Sequence, residues 1–177
     1  MKNYDIKDPK LASKGKIRFE WSESRMPVLR LIRNQFRIKK PLKNVNISAC
    51  LHVTAETAVL MSVLKAGGAN IALSASNPLS TQDDITAYLV KNLKISVFAI
   101  KGENSSTYFK HIKNALKIKP NITMDDGADL VSTLHQKIPR LIKDVSGGTE
   151  ETTTGVVRLR AMEKKKVLAY PIIAVND

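Results

Sequence analysis

The chain has 177 residues, 43% of them hydrophobic and 25% charged, which excludes a mainly disordered chain and a protein of two large domains. Its single cysteine excludes an intramolecular disulfide and, with only three histidines, a cysteine-rich zinc module; no metal is expected, and the protein is expected in the reducing cytoplasm. No apolar run reaches the length of a membrane span, and residues 1–20 carry charges throughout, so no membrane partner is expected either.

The net charge of +13 makes nucleic acid a partner to consider. Residues 1–44 hold thirteen basic and four acidic residues, or +9 of that total. Within them, residues 26–36 predict an amphipathic helix. Its apolar stripe is Val28, Leu29, Ile32 and Phe36, and Arg30, Arg33 and Arg37 lie on the other side. No aromatic residues interleave with the basic ones as a stacking surface requires, so a solvated basic face is favoured over a nucleic-acid surface.

From residue 45 onward, short β-rich runs alternate with longer helical runs, which is typical of βα units around a parallel sheet. Strands are predicted at residues 46–51, 70–75, 94–100, 121–125 and 169–175. Helices are predicted at residues 54–66, 81–92, 105–117, 128–136 and about 150–165. Thr54 is the expected N-cap of the first of these helices, and Gly67 and Gly68 are expected to end it. The predicted fold is one domain, 1–177: a doubly wound, mainly parallel α/β sandwich (Rossmann-like, three layers) behind N-terminal helices.

Polar residues follow every predicted strand. They are His52 and Thr54, then residues 76–77 and 80–83, then 101–103, then 125–127, and a last group at 149–155 opens the next helix. Ligands of open α/β sheets bind beyond the carboxyl ends of the strands, so a site is expected at this edge. The eight glycines form neither G-x-G-x-x-G nor a Walker A loop, which excludes a self-sufficient NAD or ATP domain.

Each candidate residue also has a purely structural explanation. His52 fits a strand-end histidine, Glu56 a first-turn acid favoured by the helix dipole, and residues 125–127 a turn with an N-cap. Residues 150–151 fit the first turn of a helix. Cys50 is expected to be a small core residue. His111 and His135 fall inside predicted helices and are assigned to structure.

Six motifs in order change this balance. They occupy residues 50–60, 77–83, 97–103, 125–130, 150–156 and 171–177, for example Cys-Leu-His-Val-Thr-Ala-Glu-Thr at 50–57 and Glu-Glu-Thr-Thr-Thr-Gly-Val at 150–156. Together they closely resemble the N-terminal substrate-binding part of the adenosylhomocysteinase (S-adenosylhomocysteine hydrolase) family, from about residue 4 to residue 177. In that family, NAD oxidises the ribose 3′-hydroxyl of S-adenosylhomocysteine, homocysteine is eliminated and water adds.

The resemblance implies a role for each matching residue. His52 and Asp126 would take part in catalytic proton transfers around the sugar, and Asp126 would also contact the substrate. Thr54 and Glu56 would recognise the adenine. Glu151 would hold ribose hydroxyls. Thr152 would contact the substrate and, with Thr153 and Thr154, the NAD cofactor.

The sequence departs from the family pattern at a few positions. Ser76 replaces a cysteine, Ala128 the second glycine of Asp-Asp-Gly-Gly-Asp, and Val157 a histidine. The family continues beyond the segment that resembles residues 171–177 into a lysine-bearing stretch and a glycine-rich NAD domain. The 177 residues alone are therefore expected to hold a partial substrate site, to lack the NAD domain and to be inactive, while the parent family forms homotetramers. The alternative is a stand-alone, non-catalytic nucleoside-binding or interaction module.

Overall fold

A computed structural model describes residues 3–176 and shows a six-stranded sheet in which every pairing is parallel. The strands are β1 (Asn46–Leu51), β2 (Asn70–Ala75), β3 (Ser96–Phe98), β4 (Ile122–Asp125), β5 (Gly147–Glu150) and β6 (Ile172–Ala174). Their order across the sheet is β3-β2-β1-β4-β5-β6. This is the order of the doubly wound nucleotide-binding fold, with its switch point between β1 and β4. The predicted fold class is confirmed.

Seven α-helices lie within the described residues and cover the two faces of the sheet. They are α1 (Ala12–Ser24), α2 (Pro27–Lys39), α3 (Ala55–Ala66), α4 (Asp83–Lys91), α5 (Ser105–Leu116), α6 (Asp129–Lys137) and α7 (Thr153–Lys164). None of the helices in this part of the chain is long and apolar enough to cross a membrane.

Strand β1 supplies side chains to both cores because successive residues point to opposite faces. Ile47, Ala49 and Leu51 pack into the cluster formed with α1, α3 and α4. Cys50 points the other way, into the cluster formed with α5, α6 and α7, and is fully buried with a free thiol. Burial is what raises the pKa of this thiol well above its ordinary value.

Helix α3 begins and ends as the sequence predicts. Thr54 has extended backbone, and its hydroxyl accepts from the backbone N–H of Thr57, which is an N-cap. The helix ends at Ala66 with Gly67 as its C-cap, and Gly68 follows at a φ of 98°, where a Cβ would be strained. The N-terminus of α3 is thereby fixed at the carboxyl edge of the sheet.

Two predicted positions on α2 are wrong. Val28 is 66% exposed instead of lying on the buried stripe, whereas Arg33 turns inward. The Arg33 guanidinium pairs with Glu23 of α1, and its Nη1 lies 3.4 Å from the Ser62 hydroxyl of α3. An acidic partner on the neighbouring helix therefore draws this arginine out of the basic face that helical periodicity alone indicated.

The sequence also misses β5. Residues 147–150 form a strand, and the helix expected from about residue 150 begins at Thr153. Two glycines have low strand propensity, which hides the signal. Gly148 is nevertheless required here, because a Cβ at this position would overlap Thr123 Oγ1 and Ile172.

The segment before α1 is attached to the edge of the sheet. Asp5 donates its N–H to Val97 and accepts from the N–H of Ala99, forming one parallel bridge beside β3. Its carboxylate lies 3.1 Å from Nε2 of the buried His111, whose Nδ1 lies 2.6 Å from Glu103. His111 thus lies between two carboxylates, one from a loop and one from the N-terminal segment.

Candidate functional site

The strand order reverses between β1 and β4, and the residues that follow these two strands meet there. His52 follows β1 and Asp126 follows β4, after the registered pair Cys50 and Asp125. The Nε2 atom of His52 lies 3.2 Å from Oδ2 of Asp126. The imidazole is about half exposed, whereas the Asp126 side chain is only 6% exposed. A partly open acid–base pair therefore lies where the fold places its ligand crevice.

Two serines from the segment after β2 hold this pair. The Ser76 hydroxyl donates to Oδ2 of Asp126 at 2.8 Å. The Ser80 hydroxyl donates to the Asn77 carbonyl at 3.0 Å, and its oxygen lies within hydrogen-bond distance of Nδ1 of His52, at 2.6 Å. Both ring nitrogens of His52 thus face defined partners, which fixes the ring orientation.

The acid before Asp126 is enclosed. Asp125 accepts from the backbone N–H groups of Asp126 (3.0 Å) and Val131 (2.9 Å) and is 1% exposed. Burial raises the pKa of the Asp125 carboxyl to about 8, and the negative charge of Glu150 adds to this increase. The two backbone N–H donors act in the opposite direction and lower the pKa. Asp125 therefore belongs to the support of the site and not to its open surface.

Strand β5 ends beside this turn. Glu150 is fully buried, and Glu151, the next residue, is exposed. Partial burial and then the negative charge of Asp126 raise the pKa of Glu151, while the nearby His52 lowers it. Glu151 therefore lies close enough to His52 and Asp126 for their charges to act on its carboxyl group.

The three consecutive threonines differ in exposure. Thr152 is the N-cap of α7: its hydroxyl accepts from the N–H of Gly155 at 3.2 Å and donates to Glu150 at 3.0 Å. Thr153 and Thr154 are exposed in the first turn of α7. Their hydroxyls are therefore the ones of this group that lie on the surface.

Glu56 lies in the first turn of α3 and faces α1. The Ser22 hydroxyl donates to its Oε1 at 3.1 Å. The N–H of Glu56 itself and the Thr54 hydroxyl are the main groups that lower the pKa of this carboxyl, so it is ionised at neutral pH. A shallow pocket of about 250 Å³ lies against it, lined also by Trp21, Ala55 and Gln82. The predicted adenine-binding residues thus form a second part of the carboxyl edge.

Sequence reasoning missed two groups of supporting residues. The first is Glu150, which was assigned to a helical turn because β5 was not predicted. The second surrounds Asp129: its carboxylate lies 3.0 Å from the Tyr108 hydroxyl and 3.0 Å from Nη1 of Arg158, which also donates to the Gly127 carbonyl at 2.7 Å. The group around Asp129 cannot be predicted because its members are far apart in the sequence. Glu150 could have been recognised as the acid that ends a run of small residues.

The model of the S-adenosyl-L-homocysteine hydrolase family matches residues 3–139 and 133–177. The chain belongs to this family. The adenosylhomocysteinase of Aquifex aeolicus is 59% identical over 174 residues, that of Saccharolobus solfataricus 58% over 176, and that of Thermosynechococcus vestitus 53% over 174.

These alignments cover 98–99% of the chain but only 41–42% of each of these adenosylhomocysteinases. The chain therefore spans less than half the length of its relatives. Among the described residues, no group of three or more His, Cys, Asp or Glu side chains could hold a metal ion. The polar groups that this chain places at the carboxyl edge of the sheet are an acid–base pair, carboxylates and hydroxyls.

Proposed function

We propose that this chain is the substrate-binding part of an adenosylhomocysteinase. The proposed reaction is the reversible hydrolysis of S-adenosyl-L-homocysteine to adenosine and L-homocysteine, by NAD-dependent oxidation at the ribose 3′ position, elimination and hydration. The observation that carries the proposal is the meeting of His52 and Asp126 at the switch point of a chain whose relatives are adenosylhomocysteinases. The same proposal places the protein in the cytoplasm and in a homotetrameric assembly.

The adenine is proposed to lie at the N-terminus of α3. An ionised Glu56 accepts a hydrogen bond from the exocyclic amine of adenine, and the Thr54 hydroxyl can either donate or accept. The Ser22 hydroxyl supports this arrangement because it holds one oxygen of Glu56 in place. An oxo-purine presents an acceptor at the same position, so this site favours an amino-purine.

The sugar is proposed to lie over His52 and Asp126. The Nε2 atom of His52, half exposed and next to Asp126, is placed to exchange protons with the sugar, and the imidazole is the side chain suited to this near neutral pH. Ser80 fixes the ring through Nδ1, while Asp126 orients it and contacts the substrate. The exposed carboxylate of Glu151 accepts hydrogen bonds from ribose hydroxyls.

The residues of this chain fit NAD only in part. The dinucleotide-binding strand order is present, but the turn after β1 has no glycine-rich sequence to approach a pyrophosphate, and Thr54 caps the following helix. The exposed hydroxyls of Thr153 and Thr154, with Thr152 behind them, are the groups proposed to reach a cofactor held outside residues 3–176. When bound, NAD supplies the oxidation of the 3′-hydroxyl and its later reversal.

Calorimetric titration of the 177-residue chain with adenosine tests the binding part of the proposal. We expect saturable binding with a Kd below about 1 mM, and weaker binding of inosine. Glu56→Gln should raise the Kd for adenosine about five-fold or more, because it removes a charge-assisted acceptor. Glu163→Gln, an exposed glutamate at the far end of α7, is the matched control and should leave the Kd unchanged. Absence of saturable adenosine binding would contradict the proposal.

Turnover is tested separately by release of the homocysteine thiol from S-adenosylhomocysteine with added NAD. We expect none from this chain, because its residues do not hold the cofactor pyrophosphate. Thiol release at a rate proportional to the concentration of the chain would show that the cofactor assignment is wrong.

A further inference from the structure

The carboxylate of Glu150 is completely buried, and both of its oxygens accept hydrogen bonds. Its Oε1 accepts from the N–H of Gly127 at 2.7 Å and from the N–H and hydroxyl of Thr152 at 3.0 Å each. Its Oε2 accepts from the N–H of Ala128 at 3.0 Å. Three of these donors converge on Oε1 and one reaches Oε2, so both oxygens are engaged. A glutamine amide would fit less well, because its NH₂ group, even when placed at the Oε2 position, would face the N–H of Ala128.

These donors belong to the two loops that carry proposed substrate residues. Gly127 and Ala128 form the left-handed turn directly after Asp126, with φ angles of 108° and 64°. Thr152 directly follows Glu151 and caps α7. One buried side chain therefore connects the turn after β4 to the loop after β5.

Gly155 of helix α7 leaves space for this carboxylate. A Cβ atom on Gly155 would overlap the carboxylate carbon and both oxygens of Glu150. Gly155 has a φ outside the left-handed region, so backbone conformation does not require glycine there. The room it leaves for Glu150 is the physical reason that the structure gives for a glycine at this position.

We propose that Glu150, accommodated by Gly155, is a positioning residue that sets the separation between Asp126 and Glu151 and so determines nucleoside affinity. The inference rests on the proposed function, which assigns these two acids to the sugar. Glu150 itself touches no substrate, since it is enclosed by the two loops it joins.

The test compares three single variants of the 177-residue chain by adenosine calorimetry and thermal unfolding. Glu150→Gln and Gly155→Ala should each raise the Kd for adenosine at least ten-fold. Gly148→Ala is the matched control: it lies on the same strand, and the atoms nearest to its added Cβ belong to Thr123 and Ile172. It should lower the melting temperature but change the Kd less than two-fold. If Gly148→Ala weakens binding as much as the other two, Glu150 is only structural and the proposal is overturned.

Amide hydrogen exchange, measured without any ligand, separates this inference from the proposed function. Glu150→Gln should speed exchange at Gly127 and Ala128 at least ten-fold, whereas Gly148→Ala should not. Wild-type protein that fails to bind adenosine would refute the proposed function, while the exchange data would still decide whether Glu150 holds the two loops. If the glutamine variant does not fold, Glu150→Asp keeps the charge with a shorter reach and should give an intermediate exchange rate and Kd. Wild-type exchange and affinity in the folded variants would overturn the inference.

Discussion

Oδ2 of Asp126 lies 3.2 Å from Nε2 of His52 and 2.8 Å from the Ser76 hydroxyl. The three side chains follow β4, β1 and β2, which are neighbours in the sheet but distant in the sequence. One carboxylate oxygen thus joins three strand ends. The geometry of the pair depends on all three strands being in register.

Removing the Ser76 hydroxyl should destabilise the protein. Ser76→Ala takes a hydrogen bond from the nearly buried carboxylate of Asp126, and we expect the free energy of unfolding to fall by about 1–2 kcal/mol. Urea denaturation monitored by circular dichroism measures this. Ser106→Ala, an exposed serine in the first turn of α5, is the control and should change stability by less than about 0.5 kcal/mol. Equal stability of the two variants would argue against a formed Ser76–Asp126 bond.

Ala128 adopts a left-handed conformation that suits glycine. Its φ of 64° places the Cβ near the following carbonyl oxygen, at a cost of about 1–2 kcal/mol. Ala128→Gly should therefore raise the free energy of unfolding by at most about 1 kcal/mol, after allowing for the greater freedom of glycine in the unfolded chain and for the loss of a fully buried methyl group. In a chain of this size, that corresponds to an increase of at most about 2–4 °C in Tm by calorimetry. A lower Tm would mean that Ala128 makes packing contacts that outweigh the strain.

Much of the fold follows from local patterns in the sequence. The strands at 46–51 and 70–75 have the predicted bounds, and Thr54 caps α3 as expected, because buried apolar runs and caps are local signals. Strand β5 is not predicted because glycine has a low strand propensity. Gly147 and Gly148 stand here because neighbouring groups approach the backbone closely.

The site follows from the sequence only in its exposed part. The motifs single out His52, Asp126 and Glu151, which the fold brings to one crevice. The roles of Glu150 and Arg33 depend on partners on other elements, Ala128 and Glu23 among them. Periodicity and spacing carry no information about such pairs.

His111 should make stability depend on pH. Burial lowers the pKa of His111, but the carboxylates of Glu103 and Asp5 beside its ring nitrogens outweigh burial and raise it; Lys110 also faces Asp5, at 4.0 Å. A histidine whose pKa is raised by folding contributes stability in full below its ordinary pKa of about 6.5 and loses it as pH rises through the folded value.

We therefore expect the difference in unfolding free energy between wild type and His111→Gln to shrink as pH rises from about 6 to 9. Urea denaturation at several pH values measures it, and an NMR titration of the His111 ring gives the folded pKa directly. A difference that grows with pH would show that the imidazole is neutral between its two carboxylates.

The carboxyl group of Asp125 should titrate at a much higher pH than other carboxyl groups. Burial raises its pKa to about 8, against about 3.9 for an exposed aspartate. Because the folded value is the higher one, the stability that Asp125 contributes is present below about pH 4 and is lost as pH rises towards 8. Carboxyl ¹³C NMR should show one aspartate with a midpoint near 8, and the Val131 amide should shift with it. A midpoint near 4 would mean that the two backbone donors outweigh burial.

The reversal of strand order at β1 also has a consequence for the order of folding. Strands β1, β2 and β3 pair with their neighbours in sequence, whereas β4 can pair with β1 only after residues 52–121 have closed into a loop. Closing that loop costs chain entropy before the new contacts offset it. Residues 46–98 can therefore assemble as an early unit, and the acids at positions 125, 126, 150 and 151 join it afterwards. The contact between His52 and Asp126 is thus a kinetic marker of the pairing of β4 with β1, which a histidine-specific probe can follow during refolding.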